Sequence, residues 1–163
     1  MPDTPAATYL PLFKLLHAAG LPLFVETATG VGDVAHAAGD AFDTVITMEA
    51  DPALYEAAHA RLSGRKGILP LRGDGLAMLG DLLPRLAAPA VFWLSVPPAP
   101  GEGLPGGLAA ILADPRGHVL CLPGRSAPDA ALAPDRDAVV RDGVLLLVPR
   151  DNAALRRALS LPA

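Results

Sequence analysis

The chain has 163 residues, of which 52% are hydrophobic, 4% aromatic and 18% charged, and its formal net charge is −4. That length suits one domain, residues 1–163, and a chain of this size buries roughly 70% of its unfolded surface without needing staples. The apolar content excludes disorder, and the acidic balance, with no basic stripe or Lys/Arg run, excludes sustained contact with a nucleic-acid backbone.

Ala, Leu and Val dominate the apolar residues, so an aliphatic core is expected. One cysteine, Cys121, excludes an internal disulfide or a cysteine-built metal site and suits a reducing cytoplasm. No apolar run approaches the roughly 20 residues that span a bilayer. The opening Met1-Pro-Asp-Thr-Pro lacks the basic region of a secretory signal. A cytoplasmic protein with neither membrane nor nucleic-acid partners is therefore expected.

Residues 10–19 carry Leu12, Phe13, Leu15, Leu16 and Ala19 at helical spacing, with Gly20 as the stop. This leading helix is expected to pack on a sheet or to cover a ligand cleft, with His17 near its end. The apolar run 23–25 then reads as a buried strand that Glu26 ends. A small-residue turn follows, Thr27-Ala-Thr-Gly30-Val-Gly32, and a helix is expected over 31–41. Strand, glycine turn and helix in that order suit a nucleotide-like ligand, because glycines let the backbone approach it and a helix N-terminus offers unpaired N–H groups.

Residues 44–48, rich in β-branched side chains, form a second strand that Glu49 terminates. Asp51-Pro52 is a helix start signal, for a helix running to Ser63-Gly64. A short third strand over 67–71 leads into Gly73-Asp74-Gly75 and a helix over 76–86. Asp74 either caps that helix or meets a base edge. The continuous apolar run 90–94 is a strand buried on both faces, with Trp93 in the core. Ser95-Val-Pro-Pro and the residues after it are too proline-rich for helix or strand. A helix over 104–113 and a strand over 118–122, with Cys121 as a small buried hydrophobe, come next. Residues 123–137 read as irregular. Asp142-Gly143 between two apolar runs is a hairpin signal, and Asp151-Asn152 open a last helix over 153–159.

Alternating strands and helices closed by a hairpin give an α/β protein: a doubly wound sheet, mostly parallel, with a C-terminal antiparallel β-hairpin. Ligands of such sheets bind outside the carboxyl ends of the strands. Those ends present Glu26, Thr29, Gly30 and Gly32 from the first strand and Glu49 from the second. Gly73 and Asp74 from the third and Ser95 from the fourth share the same rim.

Four stretches carry a resemblance: Val25-Glu-Thr-Ala-Thr-Gly-Val-Gly-Asp33, Ile46-Thr-Met-Glu-Ala-Asp-Pro-Ala-Leu-Tyr-Glu-Ala-Ala58, Leu71-Arg-Gly-Asp74 and Val91-Phe-Trp-Leu94. Together with the hairpin Val139-Val-Arg-Asp-Gly-Val-Leu-Leu146, they resemble the class I, Rossmann-like S-adenosylmethionine-dependent methyltransferases. The resemblance implies S-adenosyl-L-methionine as cofactor. It implies that Glu26 and the turn Thr27, Ala28, Thr29, Gly30 and Gly32 hold the methionine end. Glu49 would bind the ribose hydroxyls, Ala50 would line the adenine pocket, Asp74 would meet the adenine amino group beside Gly73, and Ser95 would border the cofactor. A carboxylate, a two-oxygen acceptor, matches a ribose diol.

The chain also departs from the family's pattern. Ala28 stands where glycine is usual. Ser95-Val-Pro-Pro stands where related enzymes often place an acid, and Leu122-Pro-Gly replaces the acids of metal-dependent relatives. The rim then offers too few oxygens for a hard cation, so no metal is expected. No general base is evident, and methyl transfer by alignment of donor and acceptor needs none. The expected function is methyl transfer to a small-molecule substrate. The alternatives are a catalytically inactive cofactor-binding or structural relative, and another doubly wound nucleotide binder. The apolar hairpin 139–148 offers an edge for pairing with a second copy as a homodimer.

Overall fold

A computed structural model describes residues 6–95, 106–125 and 132–162. Its strands are β1 (Leu23–Glu26), β2 (Thr44–Glu49), β3 (Ile68–Arg72), β4 (Ala90–Trp93), β5 (Val119–Pro123), β6 (Arg136–Arg141) and β7 (Val144–Pro149). Its α-helices are α1 (Leu10–Ala18), α2 (Asp33–Ala38), α3 (Pro52–Leu62), α4 (Gly75–Leu82), α5 (Gly106–Ala113) and α6 (Ala153–Ala158). All seven strands form one sheet in the order β3-β2-β1-β4-β5-β7-β6. Pairing is parallel from β3 through β5 and antiparallel where β7 joins β5 and β6. This is the doubly wound α/β sheet with an antiparallel end that the strand–helix alternation implies. Winding starts at β1, runs outward to β3, then returns to β4 on the other side of β1. A crevice opens at the carboxyl ends of β1 and β4 for that reason.

Because successive strand residues face opposite sides, the continuous apolar runs feed two separate cores. Phe24, Val91, Trp93, Cys121 and Leu146 pack on one face with α1, α2 and α6. Val25, Phe92, Leu120 and Leu145 pack on the other with α4 and α5. The second core is aliphatic apart from Phe92, as composition suggests. The first is not. Tyr9, Phe13, Phe24, Phe42 and Trp93 gather there, with ring centroids 4.9 Å apart for Tyr9–Trp93 and 5.0 Å for Phe13–Phe24. A percentage cannot show that scarce aromatics converge on one face.

Most helix limits follow from local chemistry. The Asp51 carboxylate accepts the Ala53 and Leu54 N–H groups at 2.8 and 3.0 Å, and Asn152 accepts Leu155 N–H at 2.9 Å. Asp142 and Gly143 both have positive φ, 51° and 74°, as a two-residue type I′ hairpin turn requires.

The helix expected over 31–41 is shorter than predicted, because Gly32 takes a left-handed conformation before it and Gly39 follows Ala38. The helix expected over 76–86 breaks into a 3₁₀ turn at Leu83–Arg85, where Pro84 cannot continue the hydrogen-bond ladder. The stretch expected to be irregular, 123–137, is partly strand: β5 includes Pro123 and β6 begins at Arg136. Residues 96–105 and 126–131, covering the proline-rich loop and the first two residues of the helix expected from 104, lie outside the described residues. Among the described residues, no helix is long and apolar enough to cross a membrane.

Away from the crevice, a buried polar staple closes the other end of the sheet. The His118 ring accepts the Ala90 N–H at Nδ1, 2.9 Å away, so burial and this bond favour the neutral ring. Arg136 donates to the carbonyls of His118 and Leu112.

At the crevice, α4 begins almost in contact with the turn after β1. A β-carbon on Gly75 would lie 2.1 Å from the Thr27 carbonyl oxygen, which is backbone and cannot swing aside. Gly75→Ala should therefore cost about 1–3 kcal/mol and lower the melting temperature by several degrees. An unchanged thermal melt would mean that α4 is not seated on Thr27.

Candidate functional site

Glu26 is the last residue of β1 and is 1% exposed. Its carboxyl faces the crevice and is held by hydroxyls from two neighbouring segments. Thr47 Oγ1, on β2, donates to Oε2 at 2.7 Å, and Ser95 Oγ, just past β4, donates to Oε1 at 3.3 Å. Thr29 in the glycine turn extends the network, its hydroxyl 2.6 Å from that of Thr47. Burial pushes the Glu26 carboxyl up to about 8; the two hydroxyl bonds oppose that, and the nearby Glu49 and Asp33 carboxylates add to it. At neutral pH this acid holds its proton in the absence of a cation.

Glu49 ends β2 and is 8% exposed. Its Oε2 accepts the Gly30 N–H at 2.8 Å and its Oε1 the Asp51 N–H at 2.9 Å, so one carboxylate joins the glycine turn to the start of α3. The Thr29 N–H reaches Met48 O at 2.9 Å and the Gly32 N–H closes on Thr29 O at 3.0 Å. Gly30 and Gly32 have φ of 57° and 88°, values that side chains disfavour. A β-carbon on Gly30 would meet only open space, whereas one on Gly32 would press on Leu62 at 3.1 Å.

A cleft of about 430 Å³ lies over these groups. It brings together Glu26, Ala28, Thr29, Gly30 and Ser95 of the predicted site residues. Thr27 turns inward, its N–H and hydroxyl both directed at Trp93 O, 3.2 and 3.5 Å away. Gly32 is the inner corner of the turn. Glu49 braces the turn without lining the cleft. Ala50 is exposed, and Gly73 and Asp74 follow β3, beside the cleft and outside its walls. Asp74 Oδ1 accepts the Ala77 N–H at 3.2 Å, so its side chain caps α4.

The cleft also uses residues that the sequence did not single out for it. Tyr9, Trp93, Asp33 and Pro123 contribute to its walls, and Thr47 supports Glu26 from behind. Trp93 is in the core as expected, yet it reaches the cleft too. The position of the leading helix was the one available signal for Tyr9. Among the described residues, no Lys, Arg or His lines this cleft, and no three His, Cys, Asp or Glu side chains gather to hold a metal ion.

No protein-family profile matches the sequence, and no curated protein matches it. Solved structures do match. One is the O-methyltransferase TomG from Streptomyces achromogenes, involved in tomaymycin synthesis and solved with S-adenosylmethionine (19% identity, 91% of this chain and 82% of that one, TM-score 0.63). Another is an O-methyltransferase from Bacillus cereus in complex with S-adenosylhomocysteine (16% identity, 87% and 80%, TM-score 0.63). A third is the 23S rRNA methyltransferase ErmE (18% identity, 92% and 73%, TM-score 0.53). Likeness at such identities establishes architecture: this chain has the class I, Rossmann-like methyltransferase fold.

Proposed function

We propose that the chain is an S-adenosylmethionine-dependent methyltransferase that aligns donor and a small-molecule acceptor in the cleft, without a metal. The observation that carries this is the pair of strand-end acids at the crevice: Glu26 at the floor of the cleft and Glu49 clasping the Gly30 N–H. The residues fit the cofactor. Glu49 spends one acceptor position of each oxygen on backbone N–H groups. A carboxylate has about four such positions, so two remain for a ribose diol. Gly30 leaves open space above the turn for a compact ligand. Glu26 and the turn Thr27, Ala28, Thr29, Gly30 and Gly32 would face the methionine end, with Ser95 bordering it. Ala50, Gly73 and the other carboxylate oxygen of Asp74 would line the adenine.

The cofactor would supply a methyl group on a sulfonium centre. The chain's part is to orient it and to exclude water, which suits a transfer limited by alignment. Ser95 and Pro123 at the tips of β4 and β5 offer little to a hard cation, which takes several oxygen ligands. Cys121, buried in β5 with its thiol pushed up by burial, suits a reducing compartment such as the cytoplasm. The edge strand β6 is where a second copy would pair.

A silent cofactor-binding relative is the second reading, favoured by Asp74 capping α4 and by the Ala28 methyl at the cleft. A turnover screen with labelled methyl donor separates the two, since only the enzyme modifies an acceptor.

Glu49→Ala should weaken S-adenosylhomocysteine binding at least about tenfold in calorimetry, the scale of a lost hydrogen bond to a charged group. Unchanged affinity removes Glu49 from the site. Glu26 makes a separate prediction for stability. Its folded value of about 8 lies above the ordinary 4.5. The folded state therefore holds this proton more tightly, and the resulting stability is complete below 4.5 and lost as pH rises through about 8. Each tenfold difference in proton affinity is worth about 1.4 kcal/mol. Glu26→Gln has no such proton to lose. Its melting temperature relative to the parent chain should rise between pH 5 and pH 8.5, and a constant difference across that range would refute the elevated value.

A further inference from the structure

The end of the sheet away from the crevice holds a buried base that the cleft does not use. His118 immediately precedes β5 and is fully buried. β4 and β5 pair from Val91–Val119 onward, so the Ala90 N–H stands just before that ladder. The His118 ring takes it, with Nδ1 accepting at 2.9 Å. An accepting nitrogen carries no proton, so the neutral ring has its N–H at Nε2. That group has no hydrogen-bond partner among the described residues. Asp114 Oδ1 is 3.5 Å away and already accepts the backbone N–H and the Nε–H of Arg116, at 2.9 and 2.8 Å. The Phe92 ring of β4 stands edge-on to the imidazole, with centroids 5.2 Å apart.

A second proton on this ring can go only to Nδ1. There it would face the Ala90 N–H, donor against donor, and that bond would be lost. The surrounding charges are mixed. Arg116, from the turn before β5, and Arg136, from β6, both repel an imidazolium, and Asp114 attracts it. Ala90 and Phe92 of β4 bring no charge, and Arg125 follows the opposite end of β5. Burial outweighs these terms and keeps the ring neutral below the ordinary histidine value of 6.5. Asp114, Gly117 and Arg136 also wall a cavity of about 270 Å³, so solvent comes near the ring without exposing it.

We propose that His118 is an acid-released latch on β4: neutral, its Nδ1 anchors the Ala90 N–H at the start of the strand, and protonated, it lets that N–H go. Opening takes one proton from solvent and changes no other covalent bond. β4 is 4 residues long, and its far end carries Trp93, a wall of the cleft, so the latch secures the strand behind the site. It does so whatever the cleft binds. The direction with pH follows from the buried ring. Below 6.5 the released imidazole takes a proton that the latched one refuses. Opening therefore becomes easier by up to about tenfold for each pH unit of acidification.

Amide hydrogen exchange of the full chain, read by NMR and corrected for the intrinsic pH dependence of exchange, tests this between pH 7.5 and pH 5. Protection of the Ala90 N–H should fall by up to about tenfold per pH unit below 6.5. The Val45 N–H, bonded to Gly67 O at 2.8 Å on the β2–β3 side of the sheet, should keep its protection. In His118→Asn the side-chain oxygen can accept the same N–H and takes no proton, so Ala90 protection should not change with pH. The latch is overturned if Ala90 protection in the parent chain is constant, if Val45 loses protection equally, or if the variant shows the same fall. Nitrogen spectra of the parent imidazole keep the test decisive if His118→Asn folds poorly. They should show a proton on Nε2 at pH 7.5 and uptake at Nδ1 in step with the loss of Ala90 protection. A neutral ring protonated at Nδ1, or uptake out of step with that loss, would also overturn it.

Discussion

A carboxyl group almost sealed from water ends β1, and the rim of the sheet is arranged to tolerate it. Among the described residues, Glu26 gains two hydroxyl donors and no cation. Hydroxyls offset part of the cost of burying a carboxylate but not its charge, which explains the raised proton affinity. Those donors also bind structure. Thr47 brings β2 to β1, Ser95 brings the end of β4, and Thr29 brings the turn. One side chain thus sets the relative positions of the segments that border the cleft.

Glu49 complements it from the next strand. Where Glu26 accepts hydroxyls from Thr47 and Ser95, Glu49 accepts backbone N–H groups, which fixes Gly30 in a conformation that a side chain would strain. The two acids divide the labour: Glu49 shapes the turn, and Glu26 ties β1 to β2 and to the end of β4 at the floor of the cleft. Neither arrangement would hold if the strands slid. Register is maintained by cores on both faces of the sheet, each fed by alternate residues of the same strands. The aromatic cluster carries that rigidity outward, since Tyr9 packs edge-on against Trp93 and both rings reach the cleft. The wall of the site is an extension of the core, which limits how far it can relax around a ligand.

Fold class was legible because it depends on short-range signals. Apolar runs of strand length, glycine stops, the Asp51 and Asn152 caps and the Asp142-Gly143 turn each act within a few residues. The acids and glycines of the rim were legible for a related reason: a strand–turn–helix unit places its turn at a known end of the sheet. Less legible were features in which distant segments meet. Gly75 looked like one more glycine of a turn until its contact with Thr27 gave it a purpose. Asp74 read equally well as a cap or a ligand group, and its bond to Ala77 depends on the direction α4 takes.

By itself, then, the sequence determined the α/β alternation, the closing hairpin and which residues stand at the strand tips, because periodicity and turn chemistry are local properties of the chain. Only the tertiary structure decided that Ser95 meets Glu26 across 69 residues, that Trp93 serves both core and cleft, and that Tyr9 closes the wall. Those contacts follow from the register of β1 against β4 and from where α1 docks. Both are set by the packing of whole layers, and no window of neighbouring residues contains that information.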